Sequence, residues 1–165
     1  MSDEPRQGSG RDESEEERAD RQLAELLQEL RVAQAGVQIL FAFLLVIPFQ
    51  DAFDSISHGM KLVHAAALIS ALAAAALLTG PVALHRVTFR QHMKPEIILY
   101  AHRLALGGLA FLALSMSASV LLALDVSLGL PIALTTFVVA VVGFSGLWFI
   151  WPSYLRIHAS RDPAS

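Results

Sequence analysis

The polar side chains that could do chemistry in this sequence lie within long apolar runs. Gln38 stands close to the middle of the first run with Gln34 one helical turn before it, and His102 and Arg103 lie near the start of the third. If such runs cross a bilayer, each polar side chain must bond to another helix, reach the interface or line a path for ions. These four residues are therefore the candidates for an intramembrane functional site.

The two glutamines are predicted to face another helix, because an unpaired amide in hydrocarbon is costly. Gln34 and Gln38 fall on the same helix face, so one partner helix would serve both. Ser115, Ser117 and Ser119 in the third run are candidate partners, although a serine in a helix also bonds to its own backbone. The glutamines then either hold two helices together or line a conduction path.

The charge of Arg103 could be accommodated in the membrane in two ways. Counted from Ile97, it would lie about 9 Å inside the third helix. Its guanidinium would either snorkel back to the nearer surface or pair with an acceptor at the same level. Glu96, Glu29 and the side-chain oxygen of Gln34 are the candidate acceptors. We expect the pairing, which would clamp the first membrane helix to the third.

The segment between the second and third runs is basic. Arg86, Arg90 and Lys94 recur every four residues, which forms one stripe if the second helix continues beyond its run. The stripe would contact anionic lipid headgroups or the acidic tail of the same chain, unless it is an ordinary basic cytoplasmic loop. His85 and His92 lie nearby, but two histidines without a third ligand predict no metal site.

The remaining polar residues near the apolar runs carry no recognisable chemistry. His64, Asp51 and Asp125 lie near the ends of runs, and we interpret them as polar groups at the membrane interface. The sequence has no nucleophile elbow, no glycine-rich phosphate loop and no HExxH zinc motif. We therefore expect no enzyme activity, no cofactor and no metal.

Four apolar runs supply the elements that position these residues. Each is long enough, as a helix, to cross most or all of a hydrocarbon core about 30 Å thick. The connections between them are short, so consecutive helices are expected to be antiparallel neighbours. The predicted fold is all-α, a membrane bundle of four transmembrane helices. The predicted spans are residues 32–49, 62–84, 97–124 and 130–152.

Small residues indicate where these helices approach one another. Alanines recur every four residues along the second run, and pairs of glycines occur in the third and fourth runs. We interpret these positions as helix-packing contacts rather than as the wall of a pore. The residues are Ala67, Ala71, Ala75, Gly107, Gly108, Gly143 and Gly146.

The chain before the first run divides into two parts. Residues 1–17 contain no apolar run and no aromatic side chain, so we expect a disordered acidic tail. Residues 18–31 have apolar side chains at helical spacing, which predicts a juxtamembrane amphipathic helix lying on lipid headgroups. The alternative is a short coiled coil that sets an oligomer. Residues 32–155 form the four-helix domain, and residues 156–165 a short C-terminal tail.

Composition separates this chain from several protein classes. Of its 165 residues 55% are hydrophobic and 16% are charged, and residues 1–31 hold ten acids and five arginines out of twenty-seven charges in all. A soluble enzyme carries more charge, and a nucleic-acid binder has a basic excess, whereas this chain has a formal net charge of −3. The absence of cysteine excludes a disulfide-stabilised secreted domain. The mean hydropathy of +0.54 is that of a small membrane protein.

The basic residues predict the orientation. With four antiparallel spans, eleven of the twelve Lys and Arg residues fall on the side of the two termini, and Lys61 alone lies on the other side. The positive-inside rule therefore places both termini in the cytoplasm. We expect a multi-pass protein of the cytoplasmic membrane, surrounded by the lipid bilayer. Its expected partners are further copies of itself and a cytoplasmic protein that contacts the acidic tail.

Three segments resemble a family of short bacterial membrane proteins that is classed as a domain of unknown function. They are ELLQELRVAQAGVQILFAFLL entering the first span, PVALHRVTFR leaving the second and AHRLALGGLAFLALSM opening the third. The resemblance covers residues 21–154 and implies four spans in a bacterial membrane, preceded by an acidic tail. Some members carry an automatic sodium/proton antiporter label. The family supplies no catalytic or binding residues to carry over.

Three functions compete. The first is a non-enzymatic accessory or interaction protein whose helices pack through small residues. The second is a small oligomeric ion or proton-coupled transporter, as the antiporter label of some members suggests. The small multidrug-resistance transporters depend on an embedded glutamate in their first span, where this chain has Gln34 and Gln38, and an amide exchanges no proton near neutral pH. An intramembrane enzyme is third, and it lacks a nucleophile or metal set. We expect the first.

Overall fold

The computed structural model describes residues 15–88 and 95–154, and these residues form helices joined by short turns. A long helix α1 (Glu15–Val46) is followed by a 3₁₀ turn at Ile47–Phe49 and a short helix α2 (Asp51–Ser55). Helices α3 (His58–Thr88) and α4 (Pro95–Leu128) come next. The last helix, α5 (Leu130–Ser145), continues through a π-helical turn at Gly146–Ile150.

Four of these helices are long and apolar enough to cross a membrane, which confirms the predicted fold class. The apolar spans are Ala24–Phe49 in α1, His58–Ala83 in α3, Leu99–Leu128 in α4 and Leu130–Tyr154 in α5 with its continuation. Large apolar side chains such as Val32, Phe43 and Val142 point outward from the bundle. Outward apolar side chains suit a surface that faces lipid rather than water.

Helices α3 and α4 form the centre of the bundle as an antiparallel hairpin. Helix α1 packs on both of them, and α5 packs on α4, so consecutive spans are neighbours as predicted. Buried alanines of α3, including Ala67 and Ala71, lie at the helix contacts. Gly108 of α4 lies against α3 so closely that a Cβ there would stand 2.7 Å from Leu78 Cγ.

The glycine prediction is confirmed in α4 and wrong in α5. In α4, a Cβ added at Gly107 or Gly108 would meet a leucine of α3. In α5, a Cβ at Gly143 or Gly146 would have no atom within 4 Å. The two glycines of α5 therefore mark no helix contact within the described part of this chain. The reason is that α5 packs on one neighbour and turns this side outward.

Helix α1 joins the predicted juxtamembrane helix and the first span into a single element. It begins at Glu15, so the last three residues of the predicted tail are helical, whereas residues 1–14 and 155–165 lie outside the described residues. Of the apolar face predicted for residues 18–31, Leu30 lies in the hydrophobic core of the bundle and Leu26 packs against it. Leu30, Val37 and Leu44, spaced seven residues apart, are each at most 5% exposed. A seven-residue apolar repeat is the spacing that keeps one helix face on its neighbour.

The turn between α4 and α5 consists of Gly129. Its φ of 85° and ψ of 163° lie in a region that only glycine occupies without strain. Pro131 follows in the first turn of α5, where a missing backbone donor is harmless. The turn is therefore short enough to hold α4 and α5 side by side along their length.

Candidate functional site: polar contacts between the helices

The most buried ionisable side chain of the described residues is His64 on α3, which is 4% exposed. Its Nε2 lies 2.8 Å from the carbonyl oxygen of Leu44 on α1. A carbonyl accepts but cannot donate, so Nε2 carries the proton of this hydrogen bond. The residue four positions after Leu44 is Pro48, which has no N–H to offer that carbonyl. His64 therefore replaces a backbone donor that the sequence of α1 removes.

A second contact holds the surroundings of His64 in place. The ring of Phe53, on α2, meets the imidazole edge to face with ring centroids 5.2 Å apart. Lys61 Nζ stands 5.5 Å from the centroid of the same phenyl ring, within the range of a cation–π interaction. Its ammonium also donates to the carbonyl of Asp54 at 3.4 Å. The short helix α2 is thus fastened over the His64 end of α3.

Gln34 also joins α1 to α3, near the end of the bundle that carries the N-terminus. Its Nε2 donates to the carbonyl oxygen of Leu78 on α3 at 2.7 Å. Leu78 lies in the turn before Pro81, a buried proline inside α3, whose ring leaves the carbonyl of Leu77 without its helical donor. Neighbouring helices commonly supply polar groups where a membrane helix contains proline. The prediction that Gln34 faces another helix is confirmed.

The third polar contact joins α3 to α4. Ser115 is fully buried and its hydroxyl donates to the carbonyl oxygen of Ala67 at 2.9 Å. Ser117 and Ser119 instead donate to carbonyls one turn back in α4, at 2.8 Å each. None of the three serines is a partner of the glutamines. A contact of this type is worth about 0.6–2 kcal/mol between membrane helices.

Unlike Gln34, Gln38 does not face another helix within the described part of this chain. Its side chain is exposed, and it forms no hydrogen bond among residues 15–88 and 95–154. The sequence put Gln34 and Gln38 on one face, but four residues of an α-helix turn through about 400°, which displaces the second side chain by about 40°. That rotation carries Gln38 from the edge of the helix contact to the outer surface of α1.

Arg103 and His102 are exposed on α4, about 6 Å and 4 Å inside a span that begins at Leu99. Neither forms an ion pair or hydrogen bond within the described part of the chain, and the side-chain hydrogen bond of Gln34 is donated by its Nε2 to the Leu78 carbonyl of α3. The expected clamp between Arg103 and α1 is therefore absent from these residues. Snorkelling to the interface, the alternative, is the arrangement that an exposed arginine near a helix end adopts.

Only part of the basic stripe formed by Arg86, Arg90 and Lys94 falls among the described residues. Helix α3 continues beyond its apolar span to Thr88, so the backbone at Arg86 is helical, as the stripe requires. Arg90 and Lys94 lie outside the described residues, as does His92. Contact of the stripe with lipid headgroups or with the acidic tail stays a prediction.

A cavity of about 260 Å³ opens at the end of the bundle that holds α2. Phe53, Ile56, Leu122 and Val126 contribute to its wall, and Gln50 and Ser119 are the polar residues lining it. The Ser119 hydroxyl is already bonded within α4. No charged side chain of the described residues lines the cavity, so it offers an apolar surface and no group for acid–base chemistry.

Taken together, Gln34, His64 and Ser115 bond to backbone carbonyls of neighbouring helices, whereas buried Ser117 bonds within its own helix. Within the described ranges, no group of three or more His, Cys, Asp or Glu residues could hold a metal ion. His64 was interpreted from the sequence as an interfacial residue, whereas it is buried and bonded. Pro48 was the signal that could have revealed this, since a proline after an apolar helix leaves one carbonyl in need of a donor.

Comparison with known protein families gives a match over most of the chain. The model of a family of unknown function, DUF6328, matches residues 12–152. The matched range includes the three segments that carried the resemblance noted in the sequence. Nothing among the curated proteins and nothing among the solved structures matches the chain.

Proposed function

The chain belongs to DUF6328, a family of unknown function, and from its own geometry we propose that it is a non-enzymatic accessory protein of the bacterial cytoplasmic membrane. It spans the membrane four times with both termini in the cytoplasm. Its role is to bind a cytoplasmic partner protein through the acidic N-terminal region that α1 carries out of the membrane.

The observation that carries this proposal is that the polar side chains between the helices bond to backbone carbonyls. Gln34, His64 and Ser115 each bond to a backbone carbonyl of a neighbouring helix, at 2.7–2.9 Å. A polar group bonded in this way holds two helices together. The interior is therefore suited to a rigid support for surfaces that bind other proteins.

The form of α1 supports a role for the N-terminal region. The helix starts at Glu15, nine residues before its apolar span begins at Ala24, which is about 14 Å of helix. Residues 1–31 hold ten of the fifteen acidic residues of the chain. Because α1 is one continuous helix packed on α3 and α4, a partner bound to this end would be held in a fixed direction relative to the membrane.

One observation favours the second function, a proton-coupled transporter. His64 is an ionisable group buried within an apolar bundle, and such groups in membrane proteins often mark proton paths. Its imidazole, however, bonds to the Leu44 carbonyl, which Pro48 leaves without a helical donor. This structural requirement accounts for a histidine at position 64 without transport.

Two measurements test the proposal. First, purified protein in liposomes should exchange no more sodium for protons than empty vesicles do, measured with an internal pH dye and with or without a sodium gradient. Exchange above that background, lost in His64→Gln but kept in the matched buried variant Ser117→Ala, would establish the transporter instead. His64→Gln is informative because glutamine keeps a donor for Leu44.

Second, a photo-crosslinking amino acid in living cells should reveal the partner. Placed at Gln22, exposed on α1 before its apolar span begins, it should give a protein adduct; placed at Asp54, exposed on α2 at the other end of the bundle, it should not. Equal adduct formation at both positions, or none at Gln22, would contradict binding through the N-terminal end of α1.

A further inference from the structure

Gln38 lies where an amide most needs a partner. It is the fifteenth of the twenty-six residues of the span Ala24–Phe49, within a few ångströms of the middle. The nearer end of the span is eleven residues away, or about 16 Å, which is much farther than a glutamine side chain reaches. Gln38 therefore cannot snorkel to water, unlike Arg103 four residues from the end of its own span.

The described part of the chain supplies no partner to this amide. Gln38 is exposed and bonds to no group among residues 15–88 and 95–154, whereas Gln34, one turn earlier, bonds to the Leu78 carbonyl. Lipid tails have no donor or acceptor, so an amide facing them stays unsatisfied. A polar residue in this position is stable only if another protein surface covers it.

The face around Gln38 is shaped for a helix. Ala35 and Ala42 lie three and four residues to either side of it and are exposed, with Arg31 and Leu45 continuing the line. We call these five residues the Gln38 stripe. Their alternating spacing of four and three is that of one seam of a helix pair, and the two alanines allow a second backbone to come close. Only 11% of the α1 span is buried within the chain, so the stripe is accessible.

We propose that a second copy of this chain covers the Gln38 stripe, forming a parallel dimer along α1 in which the two Gln38 amides hydrogen-bond to each other. Two copies inserted with the same orientation are related by a two-fold axis along the membrane normal. Identical residues then lie at the same depth, so Gln38 meets Gln38. A primary amide has both a donor and an acceptor, so two of them form a reciprocal pair. A different membrane protein would need a polar group of its own at that depth, whereas a second copy brings one.

The dimer does not depend on the accessory role proposed above. Transport assays and partner capture leave the Gln38 stripe untested, and a monomeric chain would still be able to bind a cytoplasmic protein. The proposal therefore stands or fails on the association of the purified chain alone.

Crosslinking locates the interface. The chain contains no cysteine, so single cysteines report without background. In liposomes of phosphatidylethanolamine and phosphatidylglycerol holding the purified chain, oxidation should join Ala42→Cys into dimers several-fold faster than the matched control Phe43→Cys. Phe43 is also exposed, by 69%, but lies about 100° further around the helix. Equal rates at the two positions would overturn the proposed face.

Replacing the amide tests its contribution. In a FRET titration over protein-to-lipid ratio in the same liposomes, Gln38→Leu should weaken the dimer by about tenfold, the value of a good polar contact between membrane helices. Gln38→Asn should keep part of the association, and Phe43→Leu should keep all of it. Far-UV circular dichroism of each variant should match the wild type, since Gln38 touches no polar group within the described part of its own chain. A wild-type chain that stays monomeric, or a Gln38→Leu dimer of unchanged strength, would show that the second copy is not the occupant.

Discussion

At the scale of single residues, two prolines lie close to carbonyls that side chains of neighbouring helices bind. Pro48 removes the backbone donor for Leu44, and the His64 imidazole supplies one from α3. Pro81 leaves the carbonyl of Leu77 without its helical donor, and the Gln34 amide bonds to the next carbonyl, that of Leu78. A buried carbonyl without a donor costs about 1–3 kcal/mol. The His64 imidazole therefore stabilises the bundle at the point where Pro48 interrupts the hydrogen bonds of α1.

The pairing of His64 with Pro48 predicts a coupled effect. His64→Ala should lower the stability of the protein in detergent by about 1–3 kcal/mol, because the Leu44 carbonyl loses its donor. Pro48→Ala restores an N–H four residues after Leu44. In the Pro48→Ala background the loss caused by His64→Ala should therefore be clearly smaller. Thermal unfolding, monitored by circular dichroism, gives the stability of each single variant and of the double variant relative to the wild type, which are the values that the double-mutant cycle compares.

Simple additivity of the two substitutions would contradict this role of His64. Ser117→Ala is a suitable control, because Ser117 is buried but bonds within its own helix. Its effect on stability should be the same in the wild-type chain and in the Pro48→Ala background.

At the scale of elements, α1 has one buried side and one exposed side. One side carries Leu30, Val37 and Leu44 and is buried against α3 and α4; the other carries the Gln38 stripe and is exposed. Leu78 of α3 accepts the hydrogen bond from Gln34 of α1 and packs against Gly108 of α4. Leu78 is therefore the point at which the three helices meet, and its position depends on the missing side chain at Gly108.

Gly108→Ala tests this junction. The added Cβ would lie 2.7 Å from Leu78 Cγ and 3.1 Å from its backbone nitrogen, so α3 and α4 must move apart. Overpacking of this kind costs about 1–3 kcal/mol, which outweighs a gain of up to about 1 kcal/mol in helix propensity. We expect a lower midpoint of thermal unfolding in detergent.

Gly143→Ala is the matched control, because its Cβ would meet no atom within 4 Å. The stability of this variant should be unchanged or slightly raised by the better helix propensity of alanine. If both glycine variants were equally stable, the close approach of α3 and α4 at Gly108 would not limit the packing.

At the scale of the whole molecule, the bundle is open on one side. Helices α1, α3 and α4 contact one another, while α5 packs on α4 and buries only Ala133 among its described residues. The spans of α1 and α5 are 11% and 6% buried, against 33% and 39% for α3 and α4. The two outer helices therefore present most of the surface available to lipid or to other proteins.

Four antiparallel spans put the two termini on one side, and the basic residues predict that this side is the cytoplasm. In intact bacteria, an impermeant thiol reagent should label Ser55→Cys, which is exposed at the other end of the bundle. Ser9→Cys and Ser165→Cys should react only after the cells are permeabilised. Labelling of either terminal cysteine in intact cells, with Ser55→Cys protected, would reverse the orientation.

The sequence by itself determined the four spans and their order. Hydropathy is a local property that a stretch of about twenty residues reveals without its neighbours, and short connections leave only antiparallel packing. The alanines of α3 and the glycines of α4 were also readable as contacts, since small residues in membrane helices are retained where backbones approach.

Only the tertiary structure decided which polar residue has which partner. Gln34 and Gln38 are identical in type and one turn apart, yet one bonds to α3 and the other faces outward, because a rotation of about 40° separates the edge of a helix contact from the free surface. His64 bonds to a carbonyl twenty residues earlier in the chain, and Arg103 bonds to none of the described acceptors that the sequence offered. Hydrogen bonds act over about 3 Å, so they depend on the rotation and depth of each helix, which packing against α3 and α4 fixes.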